Sequence, residues 1–309
     1  MKIVITGYFP EAAKGKIRES MPEEWELAIV PPEGIHEELG TADVLIPEHV
    51  QVNAALLEKA PRLKLVQTGA GYDNVRLADC TKRGVQVCNA AGVNADAVAE
   101  HVMAFILCTS KNLIRLDGFM KAREPAEALN YAEAELSGKT IGIIGLGNVG
   151  RRVAAYSRAF GMRVLGCGRK SAELPGVEAR SLEELCRESD IISLHVPLTA
   201  ETRHMINADV FRTMKKDALL INTSRGAVIN EAELIRALRD GEIGGACLDV
   251  YEDEPLSPDS PLRDLENVIL TPHTAGYPDG VKFHRKRYAF FVSNIRKVER
   301  GEMPECRVN

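Results

Sequence analysis

The stretch "TIGIIGLGNVGRRVAAYSRAFGMRVLGCGRKS", residues 140–171, decides the fold of this 309-residue chain. It opens on an apolar run of strand length, turns through three glycines, continues as an amphipathic helix and closes on a second apolar run, "MRVLGC". A strand, a tight turn, a helix and a second strand make the repeating unit of a parallel α/β sheet. Within it, Gly145-Leu146-Gly147-Asn148-Val149-Gly150 satisfies G-x-G-x-x-G. Glycines there permit the tight turn, close approach of backbone to a pyrophosphate, and close packing of helix on strand. The helix N-terminus then offers unpaired N–H groups to the anion. In this setting the pattern reads as a dinucleotide site, with Gly145, Gly147, Asn148, Val149 and Gly150 as its cradle.

The unit ends unusually. About twenty residues beyond the glycines, an acid commonly holds the cofactor ribose through its 2′-hydroxyl. Here that position is Gly168, followed by Arg169 and Lys170. Removing the carboxylate removes its repulsion of a 2′-phosphate, and two cations stand ready to pair with one. NADP(H) is therefore favoured over NAD(H). The competing reading makes Arg169 and Lys170 solvated loop charges.

Outward from this unit, "KIVITG", "EWELAIV", "ADVLIP", "LKLVQTG" and "VQVCNA" read as buried strands near the start, separated by helical patterns. They form a small doubly wound α/β domain over residues 1–94. A long helix is expected after Asn94, and a polar segment at 121–139 precedes the second series. Its strands are "TIGIIG", "MRVLGC", "DIISLHV", "DALLIN", "GACLDV" and "NVILTP". A last helix, from about Val281 to Arg300, has no strand after it and is expected to pack back on the first domain. The domains are thus 1–94 with 282–309, and 95–281.

Composition bounds the function. Apolar residues at 45% and charged residues at 27% describe an ordinary globular chain. A net charge of −5 argues against nucleic acid or an anionic membrane as partner. No apolar run reaches bilayer length, so a cytoplasmic protein is expected. Seven cysteines without a C-x-x-C pair read as free thiols, and no metal site is expected.

Three polar residues follow apolar strands: Arg225 in "INTSRGAVIN", Glu254 in "LDVYEDEP" and His273 in "ILTPHTAG". Ligands of open α/β sheets collect at such carboxyl ends. Arginine can grip a carboxylate and polarise a carbonyl, histidine can protonate the carbonyl oxygen, and glutamate can orient the ring. Together they suit hydride transfer to a small anionic 2-keto acid.

Six blocks in order, "VQTGAGYDNV", "GVQVCNAAGVNADAVAEH", "LSGKTIGIIGLGNVGRRVA", "LHVPLTAETRHMI", "INTSRGAVINEAELIRALRDGEIGGACLDVYEDEP" and "NVILTPHTAG", resemble the D-2-hydroxyacid dehydrogenases. The resemblance implies a Rossmann cofactor domain inserted in a smaller flavodoxin-like substrate domain, both doubly wound parallel sheets. It implies that Arg225 binds and activates substrate, that Glu254 and His273 form the acid/base pair, and that Asp249 lies near the nicotinamide carboxamide. It further implies that backbone N–H groups at Ala70 and Gly71 receive the substrate carboxylate, and that His195, Pro197, Thr202, Thr223 and Ser224 line the cofactor groove. For Asp249, His195 and Thr202 the spacing alone equally allows loop capping.

An acid-free loop carrying arginine is similar to that of NADPH-preferring glyoxylate and hydroxypyruvate reductases. The family also implies a homodimer through the cofactor domain, with the helix after Asn94 as candidate interface. Two departures stand out: Tyr131 occupies a position where tryptophan is frequent, the one tryptophan being Trp25, and Glu48 follows "ADVLIP" in a loop that often touches substrate. Two alternatives remain: a dinucleotide-sensing binding protein of co-repressor type, and an NAD-linked D-3-phosphoglycerate or D-lactate dehydrogenase.

Overall fold

A computed structural model describes residues 1–123, 125–129, 134–168, 174–280 and 282–309. The chain forms two compact units, Met1–Asn94 with Gly276–Asn309, and Ala95–Ala275. The return into the first unit begins at Gly276, ahead of the residue 282 suggested by the sequence pattern.

In the first unit the chain runs β1 (Lys2–Thr6), α1 (Glu11–Ser20), β2 (Glu26–Val30), α2 (Ile35–Glu38), β3 (Val44–Pro47), α3 (Ala54–Glu58), β4 (Leu65–Thr68), α4 (Leu77–Lys82) and β5 (Gln86–Asn89). In the second it runs α5 (Ala95–Ser110), α6 (Leu113–Ala122), β6 (Thr140–Ile144), α7 (Asn148–Ala159), β7 (Arg163–Cys167), β8 (Glu178–Ala179), α8 (Leu182–Glu188), β9 (Ile191–Leu194), α9 (Ala208–Phe211), β10 (Leu219–Asn222), α10 (Glu231–Arg239), β11 (Gly245–Leu248) and β12 (Val268–Leu270). It then returns to the first unit as α11 (Arg285–Glu299).

Among the described residues the first sheet has the order β2-β1-β3-β4-β5 and the second β12-β11-β10-β9-β6-β7-β8. All pairings are parallel. The first is the flavodoxin-like order. The second, renumbered from β6, reads 7-6-5-4-1-2-3 and is the dinucleotide-binding order extended by one strand. Strand order reverses between β1 and β3 and between β6 and β9, and ligands of such sheets bind at those crevices. The expected pair of doubly wound sheets is what the chain forms.

Strands such as β3 (VLIP), β9 (IISL) and β10 (LLIN) are buried at every position, as a parallel sheet covered on both faces requires. Helices pack through small residues. A Cβ on Gly142 would lie 2.3 Å from Leu185 Cδ2 and 2.4 Å from Ser189 Oγ, so a larger residue in β6 would force both side chains to shift. Helix α8 itself starts with a capping box, Ser181 with Glu184. In the first unit α11 is held by fully buried Tyr288, Phe291 and Ile295, each contributing about 1.5–3 kcal/mol by leaving water.

Two elements depart from the sequence reading. The long helix after Asn94 breaks into α5 and α6, bent by 55°, where Asn112 takes a left-handed φ of 49° that asparagine tolerates better than most residues. Strand β8, two residues at the sheet edge, was too short to carry a pattern. No single described helix is long and apolar enough to cross a membrane.

Candidate active site

The glycine turn between β6 and α7 shows which glycines are structural and which is open. Gly145 has φ +96°, and a Cβ there would meet the His195 carbonyl oxygen at 2.5 Å. On Gly150 it would meet the Gly145 carbonyl oxygen at 2.1 Å. Gly147, by contrast, has no atom within 4 Å of its Cβ position, and no side chain caps the helix that follows. The N–H groups at the start of α7, from Asn148, Val149 and Gly150, are therefore left for an anion. These residues fit a dinucleotide pyrophosphate.

The Gly145 N–H bonds to the Cys167 carbonyl at 2.9 Å, bringing the end of β7 beside the turn. Gly168 follows with φ +146°, its Cβ position 3.8 Å from Gly145 Cα. Arg169 and Lys170 lie outside the described residues, as does Tyr131.

Across the crevice, the His195 N–H donates to the Ile144 carbonyl at 2.7 Å, and its Nε2 lies 2.9 Å from Ser193 Oγ. Burial pushes its imidazole down to about 3, so the ring is neutral. The Thr202 hydroxyl donates to the Pro197 carbonyl at 2.7 Å and accepts the Thr199 N–H at 2.8 Å, closing its own loop. Ser224 is similarly occupied, its hydroxyl and N–H both bonding Asn222 Oδ1 at 2.8 and 3.0 Å. Thr223 differs: its Oγ1 is buried with no partner among the described residues, as a group awaiting a ligand would be.

Arg225, Glu254 and His273 follow three adjacent strands, β10, β11 and β12, and their loops are tied together. Asn222, fully buried at the end of β10, holds the Arg225 carbonyl through Nδ2 at 2.9 Å. The Tyr251 hydroxyl donates to the Leu248 and Thr271 carbonyls at 3.2 and 2.8 Å, joining the ends of β11 and β12. Asp249 is 1% exposed and accepts from Thr271 Oγ1 at 2.6 Å, the Thr274 N–H at 2.8 Å and the Ala275 N–H at 3.0 Å. Its carboxylate thus grips both sides of His273. His101, whose Nε2 is 3.1 Å from Thr271 Oγ1, completes this network from α5.

The chemistry converges on one pair. His273 Nδ1 lies 2.6 Å from Glu254 Oε2, while the Tyr251 N–H bonds Oε1 at 3.2 Å. With Nδ1 engaged, Nε2 is the nitrogen left for a substrate oxygen, on a ring 47% exposed. Burial opposes ionisation of Glu254 and is the largest influence. The His273 hydrogen bond and charge, the Tyr251 N–H and the nearby Arg225 charge outweigh it, holding the carboxyl below its usual range. Arg225 itself donates from Nη1 to the Ser224 carbonyl at 2.7 Å.

In the first unit, the loop after β4 is fixed by the Ala90 N–H on the Gly69 carbonyl at 2.8 Å and by Asn89 Nδ2 on the Ala70 carbonyl at 2.9 Å. The N–H groups of Ala70 and Gly71 find no acceptor among the described residues. Sequence reasoning singled out neither Asn222, Tyr251 nor His101; the one available signal was a polar residue ending the apolar strand "ALLIN".

Comparison with known proteins agrees with this geometry. Residues 103–275 match the family model for the D-isomer specific 2-hydroxyacid dehydrogenase NAD binding domain. A glyoxylate reductase of Aeropyrum pernix is 38% identical, covering 97% of this chain and 93% of its own. The D-lactate dehydrogenase of Aquifex aeolicus, solved with NAD and lactic acid, superposes with a TM-score of 0.82 at 34% identity, over 97% of this chain and 96% of that one. An acyclic imino acid reductase solved with NADPH and D-Arg gives 0.86 at 30% identity over the whole of both chains. The chain belongs to the D-2-hydroxyacid dehydrogenases, NAD(P)-dependent oxidoreductases acting on small 2-keto and 2-hydroxy acids.

Proposed function

We propose that this protein reduces glyoxylate and hydroxypyruvate to their 2-hydroxy acids with NADPH. The observation that carries the reading is the His273–Glu254 pair within the field of Arg225, at three neighbouring strand ends of the unit that bears the glycine turn. A dinucleotide held at the glycine turn by Gly145, Gly147, Asn148, Val149 and Gly150 would supply the hydride. Arg225 holds the acid and polarises its carbonyl, and His273 Nε2 gives the oxygen its proton. Glu254 fixes the ring orientation and stabilises the positive charge it carries before transfer. Asp249 sets the loop on which His273 stands and would lie near the carboxamide of a bound nicotinamide. The Ala70 and Gly71 N–H groups receive the carboxylate, and His195, Pro197, Thr202, Thr223 and Ser224 border the cofactor.

The preference for NADPH rests on Gly168, Arg169 and Lys170, and the substrate class on relatives such as the Aeropyrum pernix glyoxylate reductase. Relatives solved with NADPH and with NAD both occur, so cofactor choice is a matter for this chain's own residues. A homodimer is supported by α6, which exposes Leu113, Ile114 and Met120 at 50%, 59% and 73%. A cytoplasmic location accords with the free cysteines.

The test is a kinetic panel: glyoxylate, hydroxypyruvate, pyruvate and 3-phosphohydroxypyruvate, each with NADPH and NADH. Turnover of the first two with NADPH, on the order of 1 per second or more, is expected. Absence of turnover with any acid overturns the proposal.

A further inference from the structure

Arg287, in the first turn of α11, is 9% exposed, yet its Nε and Nη2 have no hydrogen-bond partner among the described residues. Leaving buried guanidinium donors unpaired costs a few kcal/mol, so such a group is retained where something else meets it. The side chain is held in place. Its guanidinium carbon stands 4.8 Å from the Tyr277 ring centroid and 6.0 Å from that of Tyr288, in cation–π range.

Two of its nitrogens lie beside residues that follow β4 and β3. Nη1 lies 3.2 Å from the position a Cβ would take on Gly69, immediately before Ala70 and Gly71. Nη2 lies 3.8 Å from Glu48 Oε1, too far for a hydrogen bond but close enough to balance its charge. Glu48 is itself anchored, its N–H accepted by Thr6 Oγ1 and its carbonyl receiving the Thr6 hydroxyl, both at 3.0 Å. It therefore stands at the paired carboxyl ends of β1 and β3, where the strand order reverses. Alone, an inward carboxylate opposes an anionic acid; with the Arg287 cation beside it the charge is balanced.

The pair sets an acceptor and unpaired donors side by side at zero net charge, beside the loop proposed to receive the substrate carboxylate. A neutral hydroxyl, which both gives and takes a hydrogen bond, suits it. A methyl group leaves the donors unmet, and a phosphate or second carboxylate meets Glu48. We propose that Glu48 and Arg287 are specificity-determining residues that select 2-keto acids bearing a hydroxyl on the carbon next to the carbonyl. The hydroxyl donates to Glu48 and accepts from Arg287. This inference rests on the proposed reduction of 2-keto acids and names the substituent that site prefers.

The experiment compares kcat/KM for hydroxypyruvate, pyruvate, glyoxylate and 3-phosphohydroxypyruvate in the wild type, Glu48→Gln and Arg287→Met, with melting curves for each. In the wild type, hydroxypyruvate should exceed pyruvate by roughly 10- to 100-fold. Each variant should lose most of that ratio, chiefly through a higher KM for hydroxypyruvate, and Glu48→Gln should accept 3-phosphohydroxypyruvate better than the wild type does. Should Arg287→Met fail to fold, Glu48→Gln, which keeps the shape of its side chain, decides alone. An unchanged hydroxypyruvate-to-pyruvate ratio in a folded variant overturns this inference and leaves the proposed function standing. No turnover of any acid by the wild type overturns both.

Discussion

A Cβ placed on Gly226 would stand 1.8 Å from the carbonyl carbon of Tyr251. The backbone just after Arg225 therefore lies directly against the backbone that leads to Glu254. Only a residue without a side chain permits this stacking of the loops after β10 and β11. The nearness of Arg225 to Glu254 depends on it.

Gly226→Ala tests that dependence. The clash is with backbone atoms, so no side-chain rotation relieves it and the loops must part. We expect a loss of about 1–3 kcal/mol in stability from overpacking. Turnover should fall by about 100-fold or more, since displacement near 1 Å is enough to misplace reacting groups. Urea unfolding and kcat report the two effects, and cofactor affinity serves as control. Wild-type turnover would show that Arg225 is placed by other contacts.

Glu254 predicts a pH dependence with a definite sign. Its carboxyl is held below its ordinary range in the folded protein, so the stabilisation is present above the unfolded value and disappears as pH falls through the folded one. Glu254→Gln removes the charge at every pH. The wild type should be the more stable of the two near neutrality, with the gap in urea midpoint closing on acidification. Turnover of the variant near pH 7 should be reduced roughly 100-fold, in line with loss of general acid–base assistance. A gap that stays constant down to pH 3 would mean that Glu254 is not ionised by its neighbours.

Asp249→Asn separates positioning from cofactor contact. The wild-type side chain accepts three hydrogen bonds, two from the backbone N–H groups of Thr274 and Ala275 just after His273 and one from the Thr271 hydroxyl before it, and an amide would turn a donor toward at least one of them. A loss of about 1.5–3 kcal/mol in stability is expected, the scale of a hydrogen bond to a charged group. Stability near that of the wild type, with weakened cofactor binding alone, would make Asp249 a cofactor ligand and not a loop anchor.

What the chain disclosed before its structure follows the range of the interactions. The glycine turn was legible because its requirement is local: a strand, a positive φ at Gly145 and a helix start within a dozen residues. Arg225, Glu254 and His273 were legible as polar residues just past apolar strands. Their fastening was not, because Tyr251 and Asp249 act across strands that become neighbours only on folding. Arg287 was hidden for the same reason. In sequence it sits in the charge-rich "HRKRY", which reads as a solvated helix face, and nothing local says that Tyr277 and Tyr288 bury it. The break at Asn112 escaped because the apolar pattern continues across it.

Cofactor choice is the last test, and Gly168 makes it specific. At φ +146° this position favours glycine by conformation, which by itself gives the absence of an acid a backbone cause. If Arg169 and Lys170 pair with a 2′-phosphate, replacing both with alanine should weaken NADPH binding by roughly 10- to 100-fold and leave NADH nearly unchanged. Gly168→Asp should disfavour NADPH by charge repulsion and lose about 1 kcal/mol or more of stability, because aspartate must take a strained φ. Titration of both cofactors against the wild type and the two variants reads the result. Equal losses for NADPH and NADH in the double variant would make Arg169 and Lys170 ordinary loop charges, and the enzyme an NAD-linked one.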